Sequence, residues 1–499
     1  MNPPRPLIVV SLPARTVADA RSEIVEARAA GADVAELRVD RLPADEVGRL
    51  DGLFPSPLPL IATLRSRAEG GEGPVDAERR AQLLRDVARY PFRWIDAERN
   101  RDFPAAETLS RPAVQELIVS THFPGEASGS QWGHLLREPV PLAALVKVVG
   151  PSSVGHLFRE VIPSFPPIEE RRFTAHSTGA SGPLLRAWSK RFGFPFVYAS
   201  LPERSDASRP ASVEPSQIPV DRLKPFLDAE GTPPLFAVIG HPVAHSRSPA
   251  IFSRWMREDG RPGLYVALDL GSDEEFTDAL PALTEGGFRG LSVTHPFKAV
   301  AFELADEVGP GATACGVANT LTLSTDRVSA ENTDLVAILR RLGELRASGA
   351  WDGGSVGVVG AGGAARATLA ATRTLGVEAF VWARRAGAAD SLAREFGAHS
   401  VPTTDAARPT LVVHATPVGR ASEMHASRPD LGWLRPGVHV VDWVYAPEDP
   451  VVRATAERFR ATYEDGTRLL VYQAAASYGL WWGAEPSADR VESAIRSFL

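Results

Sequence analysis

SVGVVGAGGAARATLAATRTLG, residues 355–376, decides the fold of the part of the chain that holds it. An apolar run ends in a glycine cluster and a helix-forming segment follows at once, which is the strand–turn–helix order of a dinucleotide-binding unit. Gly360 permits the tight turn, Gly362 lets backbone approach a pyrophosphate, and Ala365 lets the helix sit close on the strand. Ala361, Gly363 and Ala364 complete a turn whose free N–H groups and helix dipole suit an anion. Glycine clusters also close ordinary loops; the position between strand and helix is what favours a cofactor here. At the end of the next strand, WARR places Arg384 and Arg385 where an NAD enzyme commonly carries an acidic residue for the ribose hydroxyl. Arginines there favour a 2′-phosphate, hence NADP, whereas the plainer reading is a solvated pair on a loop.

Outward from this stretch, the segments EAFVW, TLVVHAT and VHVVDW continue the βα series towards the C-terminus. On the N-terminal side, LFAVIG, LYVALDL and LSVTH read as strands separated by helices, a second α/β unit. RLLVYQAAASYGLWWG, near the end, is helical in pattern and is expected to pack back onto that unit. The first part of the chain has a different rhythm. LIVVSL, VAELRV, LIATLR, RWIDAE, ELIVSTH, ALVKVVG, RFTAHS and FVYASL recur as short β-prone runs, with helical patterning between several of them, as in residues 16–30 and 76–89. Eight such units in about 200 residues fit a (β/α)8 barrel, and their even spacing favours closure over a doubly wound open sheet. The predicted organisation is an α/β chain: a barrel over 1–226, a linker over 227–234, an α/β substrate domain over 235–340 completed by 467–499, and a Rossmann domain over 341–466.

A length of 499 residues is more than one hydrophobic core organises, consistent with that division. The net charge of -7 and the lack of a basic tract argue against nucleic acid or an anionic membrane as partner. Cys315 is the single cysteine, so no intramolecular disulfide forms, and no Cys/His cluster offers a metal site. No apolar run reaches the roughly 18 residues of a membrane span and no export signal is visible, so a cytoplasmic location is expected.

In the first half, Glu36, Arg38, Arg65, His122 and Lys147 fall late in strands or just after them, the face where barrels place active sites. LVKVV sets the Lys147 ammonium inside an apolar strand. Desolvation there would free its amine as a nucleophile towards a ketone. A lone strand lysine more often snorkels from the barrel end; the accompanying His122 and charged strand residues favour chemistry. ELRVD, TLRSRAEGGE, VSTH, VKV and GPLLR, in that order, resemble type I 3-dehydroquinate dehydratase. That resemblance implies an imine on Lys147, proton transfer by His122 oriented by Glu69, a substrate carboxylate on Arg186, and Glu36, Arg38, Arg65 and Gln217 as further substrate contacts. Phe123 and the loop SVEPSQ, one residue longer between Ser212 and Gln217 than usual, depart from the family pattern.

In the second half, HSRSP, LSVTHPFK, GVANT and ENTD gather small hydroxyls, amides, a lysine and an aspartate between His245 and Asp334. A polyhydroxylated ring acid needs such a lining, since each of its buried polar groups must find a partner. A lysine beside a carboxylate can also deliver a proton to an alkoxide formed by hydride transfer. In order and spacing these motifs resemble shikimate dehydrogenase. The resemblance implies Lys298 and Asp334 as catalytic pair, and Ser246, Ser248, Thr294, Asn319 and Gln473 on the substrate. It also puts Tyr445 and Gly466 beside the nicotinamide. Ser292, Leu335, Ala383, Arg385, His414 and Trp443 differ from the family's usual residues. Together the two resemblances imply a bifunctional enzyme that dehydrates 3-dehydroquinate to 3-dehydroshikimate and then reduces it with NADPH to shikimate. The alternatives are a metabolite-sensing regulator on the same folds, which loss of either lysine would mark, and a quinate dehydrogenase using NAD.

Overall fold

The computed structural model describes residues 4–107, 115–140, 143–167, 172–203, 212–243, 245–401, 408–419, 431–447 and 450–498. Two compact units emerge: Met1–Leu235 with Pro262–Gly287, and Phe236–Arg261 with Phe288–Leu499.

Nine strands organise the first unit: β1 (Leu7–Leu12), β2 (Val34–Arg38), β3 (Leu60–Thr63), β4 (Trp94–Glu98), β5 (Glu116–His122), β6 (Ala143–Pro151), β7 (Phe173–Thr178), β8 (Phe196–Ser200) and β9 (Ile218–Pro219). Their order is β7-β6-β5-β4-β3-β2-β1-β8-β9. All the pairings are parallel, as crossover helices require. The helices Val17–Ala29 and Ala77–Val87 fall within the two segments read as helical, and each starts where a Thr16 or Asp76 side chain accepts a backbone N–H. The eight expected strands are present and the sheet curls as a barrel, with one difference. Among the described residues, β7 and β8 share no ladder; the Thr174 hydroxyl spans the seam instead, donating to the Phe196 carbonyl at 3.1 Å and accepting the Phe196 N–H at 3.2 Å. Inside the curl, Val9, Val34, Ile61, Ile118, Leu145 and Phe196 form an apolar plug, so the polar residues sit towards the C-terminal ends of the strands.

In the second unit, β10 (Leu235–Gly240) leads a sheet, while β11 (Leu264–Asp269) and the helix Asp273–Glu285 group with the first unit. The sheet continues through β12 (Phe288–Val293), β13 (Glu307–Val308), β14 (Thr320–Leu323) and β15 (Val328–Glu331), ordered β10-β12-β14-β15-β13. The third sheet holds β16 (Val356–Val359), β17 (Ala379–Trp382), β18 (His399–Ser400), β19 (Leu411–His414), β20 (His439–Asp442) and β21 (Thr462–Glu464). Its order, β18-β17-β16-β19-β20-β21, is all parallel and reverses direction between β16 and β19. That is the dinucleotide-binding order, whose crevice lies at the reversal, where the glycine turn after β16 also lies. Of the C-terminal helices Thr467–Trp482 and Ala488–Arg496, the first lies against the helix Thr333–Ala347, and Trp481 meets the Phe236 ring at 5.1 Å.

Candidate active sites

One pleat face of the even strands builds the first site. β2, β4, β6 and β8 turn Glu36, Asp96, Lys147 and Tyr198 inward, the four-residue layer of alternate strands that a parallel barrel generates. The Lys147 ammonium donates to Glu36 Oε1 at 3.3 Å and Asp96 Oδ2 at 3.1 Å, and stands 3.9 Å over the Tyr198 ring. The apolar surroundings anticipated for Lys147 are therefore absent. LVKVV is apolar only through its neighbours in the strand, while its inward lysine meets two carboxylates and a ring. Glu36 also accepts from Ser11 at 2.6 Å and Thr63 at 2.8 Å. Against the penalty of burial, Lys147 and Arg38 hold its carboxyl below the ordinary value. Asp96 is held down further, at about 2: burial opposes its ionisation, but Lys147, Arg65 and the Ser120 hydroxyl outweigh that penalty.

The odd strands and the loops above them complete the cavity, about 500 Å³ in volume. Arg65 spreads over Glu69, Asp96, Glu98 and Ser120 at 3.0 to 3.4 Å. His122, at the end of β5, donates its backbone N–H to Glu69, and its Nδ1 lies 3.3 Å from the same carboxylate without a hydrogen bond. Burial, with Arg65, Lys147 and Arg38 nearby, pushes the His122 imidazole well below its ordinary value, so it is neutral and able to accept a proton. Glu69 moves the other way, to about 7; burial and the neighbouring Glu98 outweigh Arg65. Gln217 reaches in from its loop to donate to Ser11 at 3.1 Å, and Arg38 is forked onto Asp40 at 2.7 and 2.8 Å. Arg186 is more constrained than a simple carboxylate fork. Its Nε and Nη1 donate to the carbonyls of Tyr198, Ser177 and Gly182, while Nη2 is paired with Glu214 at 3.1 Å. Glu214 belongs to the SVEPSQ loop.

Sequence reading passed over Asp96, Glu98, His176 and Tyr198. For the two acids a signal existed: Asp96 and Glu98 are two residues apart in WIDAE, so both project from one face of a strand that is otherwise apolar. Nothing in the local sequence marks Tyr198 or His176, which read as ordinary strand residues.

In the second unit, Lys298 opens the helix Lys298–Glu303 and Asp334 lies in the first turn of Thr333–Ala347. Their side chains pair at 2.5 Å. Asn319, at the head of β14, donates its amide to Asp334 Oδ1 at 2.9 Å and Thr333 Oγ1 at 3.0 Å, and its oxygen accepts the Thr333 N–H at 2.7 Å. The asparagine thus fixes the carboxylate that holds the lysine. Ser248 starts the helix Ser248–Glu258 and donates its N–H to Ser246 Oγ at 3.3 Å; Thr294 follows β12; Gln473 lies in Thr467–Trp482 and donates to Leu470 at 2.8 Å.

The glycine turn has the shape of a phosphate cradle. Gly360 has φ +130°, and a Cβ there would stand 2.5 Å from the Ala415 carbonyl oxygen. Gly362 caps the helix Gly363–Leu375 with open space beside it, and Ala365 is fully buried. A Cβ at Gly363 would come within 2.7 Å of Lys298 Cδ, so glycine at this position lets the lysine lie against the turn. Arg384 and Arg385 are exposed at the end of β17, as a 2′-phosphate contact needs. Gly466 packs on the Trp443 carbonyl, and the Tyr445 ring faces Arg247 at 5.9 Å. His414 bonds at both ring nitrogens, to Asp442 at 2.8 Å and Thr416 at 2.6 Å, and is fully buried: a brace within the sheet.

Fold and sites together define a two-site α/β enzyme, with a lysine-centred pocket in a parallel barrel and a lysine–aspartate pair beside a dinucleotide turn. The chain belongs to the shikimate dehydrogenase family in its second half and carries a type I 3-dehydroquinase domain in its first. Residues 8–233 match the type I 3-dehydroquinase family, and residues 238–321 match the shikimate dehydrogenase substrate binding domain. It is 36% identical to the shikimate dehydrogenase (NADP(+)) of Acidiphilium cryptum, over 51% of this chain and 92% of that protein. The Methylobacterium radiotolerans shikimate dehydrogenase (NADP(+)) is 38% identical, over 51% of this chain and 93% of its own length. Among solved structures, Thermus thermophilus shikimate 5-dehydrogenase in complex with NADP(H) and shikimate is similar at 33% identity, 53% and 100% coverage, and a TM-score of 0.46. The dehydroquinate dehydratase and shikimate dehydrogenase from S. pombe covers 99% of this chain and 98% of that one at 22% identity, with a TM-score of 0.41.

Proposed function

We propose that the chain dehydrates 3-dehydroquinate to 3-dehydroshikimate in its first unit and reduces 3-dehydroshikimate to shikimate with NADPH in its second. The observation that carries the first activity is Lys147 in a polar cavity with a neutral His122 at its rim. Lys147 Nζ attacks the substrate ketone and forms an imine with loss of water. His122 takes the proton from the carbon beside the imine and returns it to the hydroxyl as that group leaves; water then hydrolyses the imine and frees Lys147. Glu69 orients His122, Arg186 and Gln217 hold the carboxylate end, and Glu36, Arg38 and Arg65 line the ring.

In the second unit, Gly360, Ala361, Gly362, Gly363 and Ala364 would hold the pyrophosphate of NADP, Arg384 its 2′-phosphate, and Tyr445 and Gly466 would flank the nicotinamide. When bound, that group supplies the hydride. Ser246 and Ser248 bind the substrate carboxylate, while Thr294 and Gln473 hold ring hydroxyls. Lys298 delivers a proton to the developing alkoxide, Asp334 keeps it in place, and Asn319 keeps Asp334 in place. Both lysines being present favours catalysis over a purely sensory role.

Borohydride added together with 3-dehydroquinate should trap a covalent adduct on the peptide containing Lys147. Recovery of that peptide unmodified from dehydrating enzyme would reject the imine mechanism.

A further inference from the structure

His176 lies on β7, on the rung that joins it to Val149 of β6 and, one strand further, to His122 of β5. The two histidines therefore face the cavity from strands on either side of the Lys147 strand. His176 is 1% exposed and lines the cavity, yet both of its ring nitrogens lack a hydrogen-bond partner among the described residues. Its ring is held edge-on by Tyr198 at 5.5 Å and Phe194 at 6.4 Å, so its orientation is fixed by packing. Burial, with Arg186 and Lys147 close by, pushes the imidazole well below its ordinary value and leaves it neutral, with one donor and one acceptor. A buried polar ring with no partner destabilises a fold, and such a group persists where a ligand completes it.

We propose that His176 is a specificity-determining residue of the dehydratase site: a neutral imidazole that hydrogen-bonds a ring hydroxyl or the carboxylate of the bound substrate, opposite His122. The inference rests on the dehydratase reading above, and wild-type turnover of 3-dehydroquinate tests that reading separately. With wild-type activity in hand, H176L should raise KM by about 3- to 10-fold, the worth of one hydrogen bond to a neutral group, while kcat changes little. Its urea midpoint should stay level or rise, because the partnerless ring is gone. H176N, which keeps a donor and an acceptor, should recover part of the lost affinity. If H176L does not fold, H176F, with a flat ring against Phe194 and Tyr198, carries the same comparison. Unchanged KM in the folded apolar variant overturns the proposal, as does a fall in kcat at constant KM, which would assign the ring to the chemical step.

Discussion

Glu69 is the residue whose charge state the protein has moved into the working pH range. Burial and Glu98 raise its carboxyl to about 7, so it is protonated in mild acid and ionises as pH rises through neutrality. On the proposed mechanism, an ionised carboxylate 3.3 Å from His122 Nδ1 would favour the imidazolium formed on proton abstraction, whereas a protonated one would not. Dehydratase kcat/KM should therefore rise with pH through about 7. Glu69→Gln should abolish that rise and lower the plateau by about 100-fold, the low end of what a proton-handling group contributes. A profile identical to wild type would show that another group titrates. At this scale, Lys147, His122 and Glu69 were legible as residue types in their motifs. Their surroundings were not: Lys147 meets carboxylates 51 and 111 residues away, a proximity that strand order creates.

The SVEPSQ loop shows how a short turn can carry a carboxylate to a distant partner. In SVEPSQ, Ser212 accepts the Glu214 N–H at 3.1 Å and donates to Gln217 at 3.0 Å, and the turn so formed carries the Glu214 carboxylate to Arg186. On the proposed role of Arg186, a protein carboxylate thus stands where the substrate's would bind, and binding would displace it. Arg186 is buried but Glu214 is partly exposed to water, which offsets much of the attraction, so the net worth of the pair is about 1 kcal/mol. Glu214→Gln should then lower the KM for 3-dehydroquinate by up to about fivefold without changing kcat. A higher KM in the variant would instead mark Glu214 as part of the binding wall. The loop's residues were readable in the sequence, whereas its contact with Arg186 was not, since a loop's path depends on what it packs against. The glycine turn is the opposite case: its strand, turn and helix lie in one uninterrupted stretch, and the structure follows the sequence reading closely.

For the whole molecule, the two lysines fall in different compact units and, among the described residues, share no ion-pair partner: Lys147 pairs with Glu36 and Asp96, Lys298 with Asp334. Lys298→Ala should abolish NADPH oxidation with 3-dehydroshikimate and leave formation of the enone product within about twofold of wild type; Lys147→Ala should do the reverse. Such separation follows if the two lysines act independently, since mutational effects at sites without shared partners add. Loss of both activities in either variant would contradict that independence. By itself the sequence determined the alternation of strands and helices and the glycine turn between strand and helix, and it marked both lysines as candidates, because each is written in local periodicity or in a short contiguous motif. Among the described residues, tertiary structure alone decided the even-strand layer around Lys147, the β7–β8 seam bridged by Thr174 without a ladder, the Glu214 contact with Arg186, and the His176 imidazole without a hydrogen-bond partner. Those features arise from strand register, which brings together side chains tens of residues apart and leaves no periodic trace in the chain.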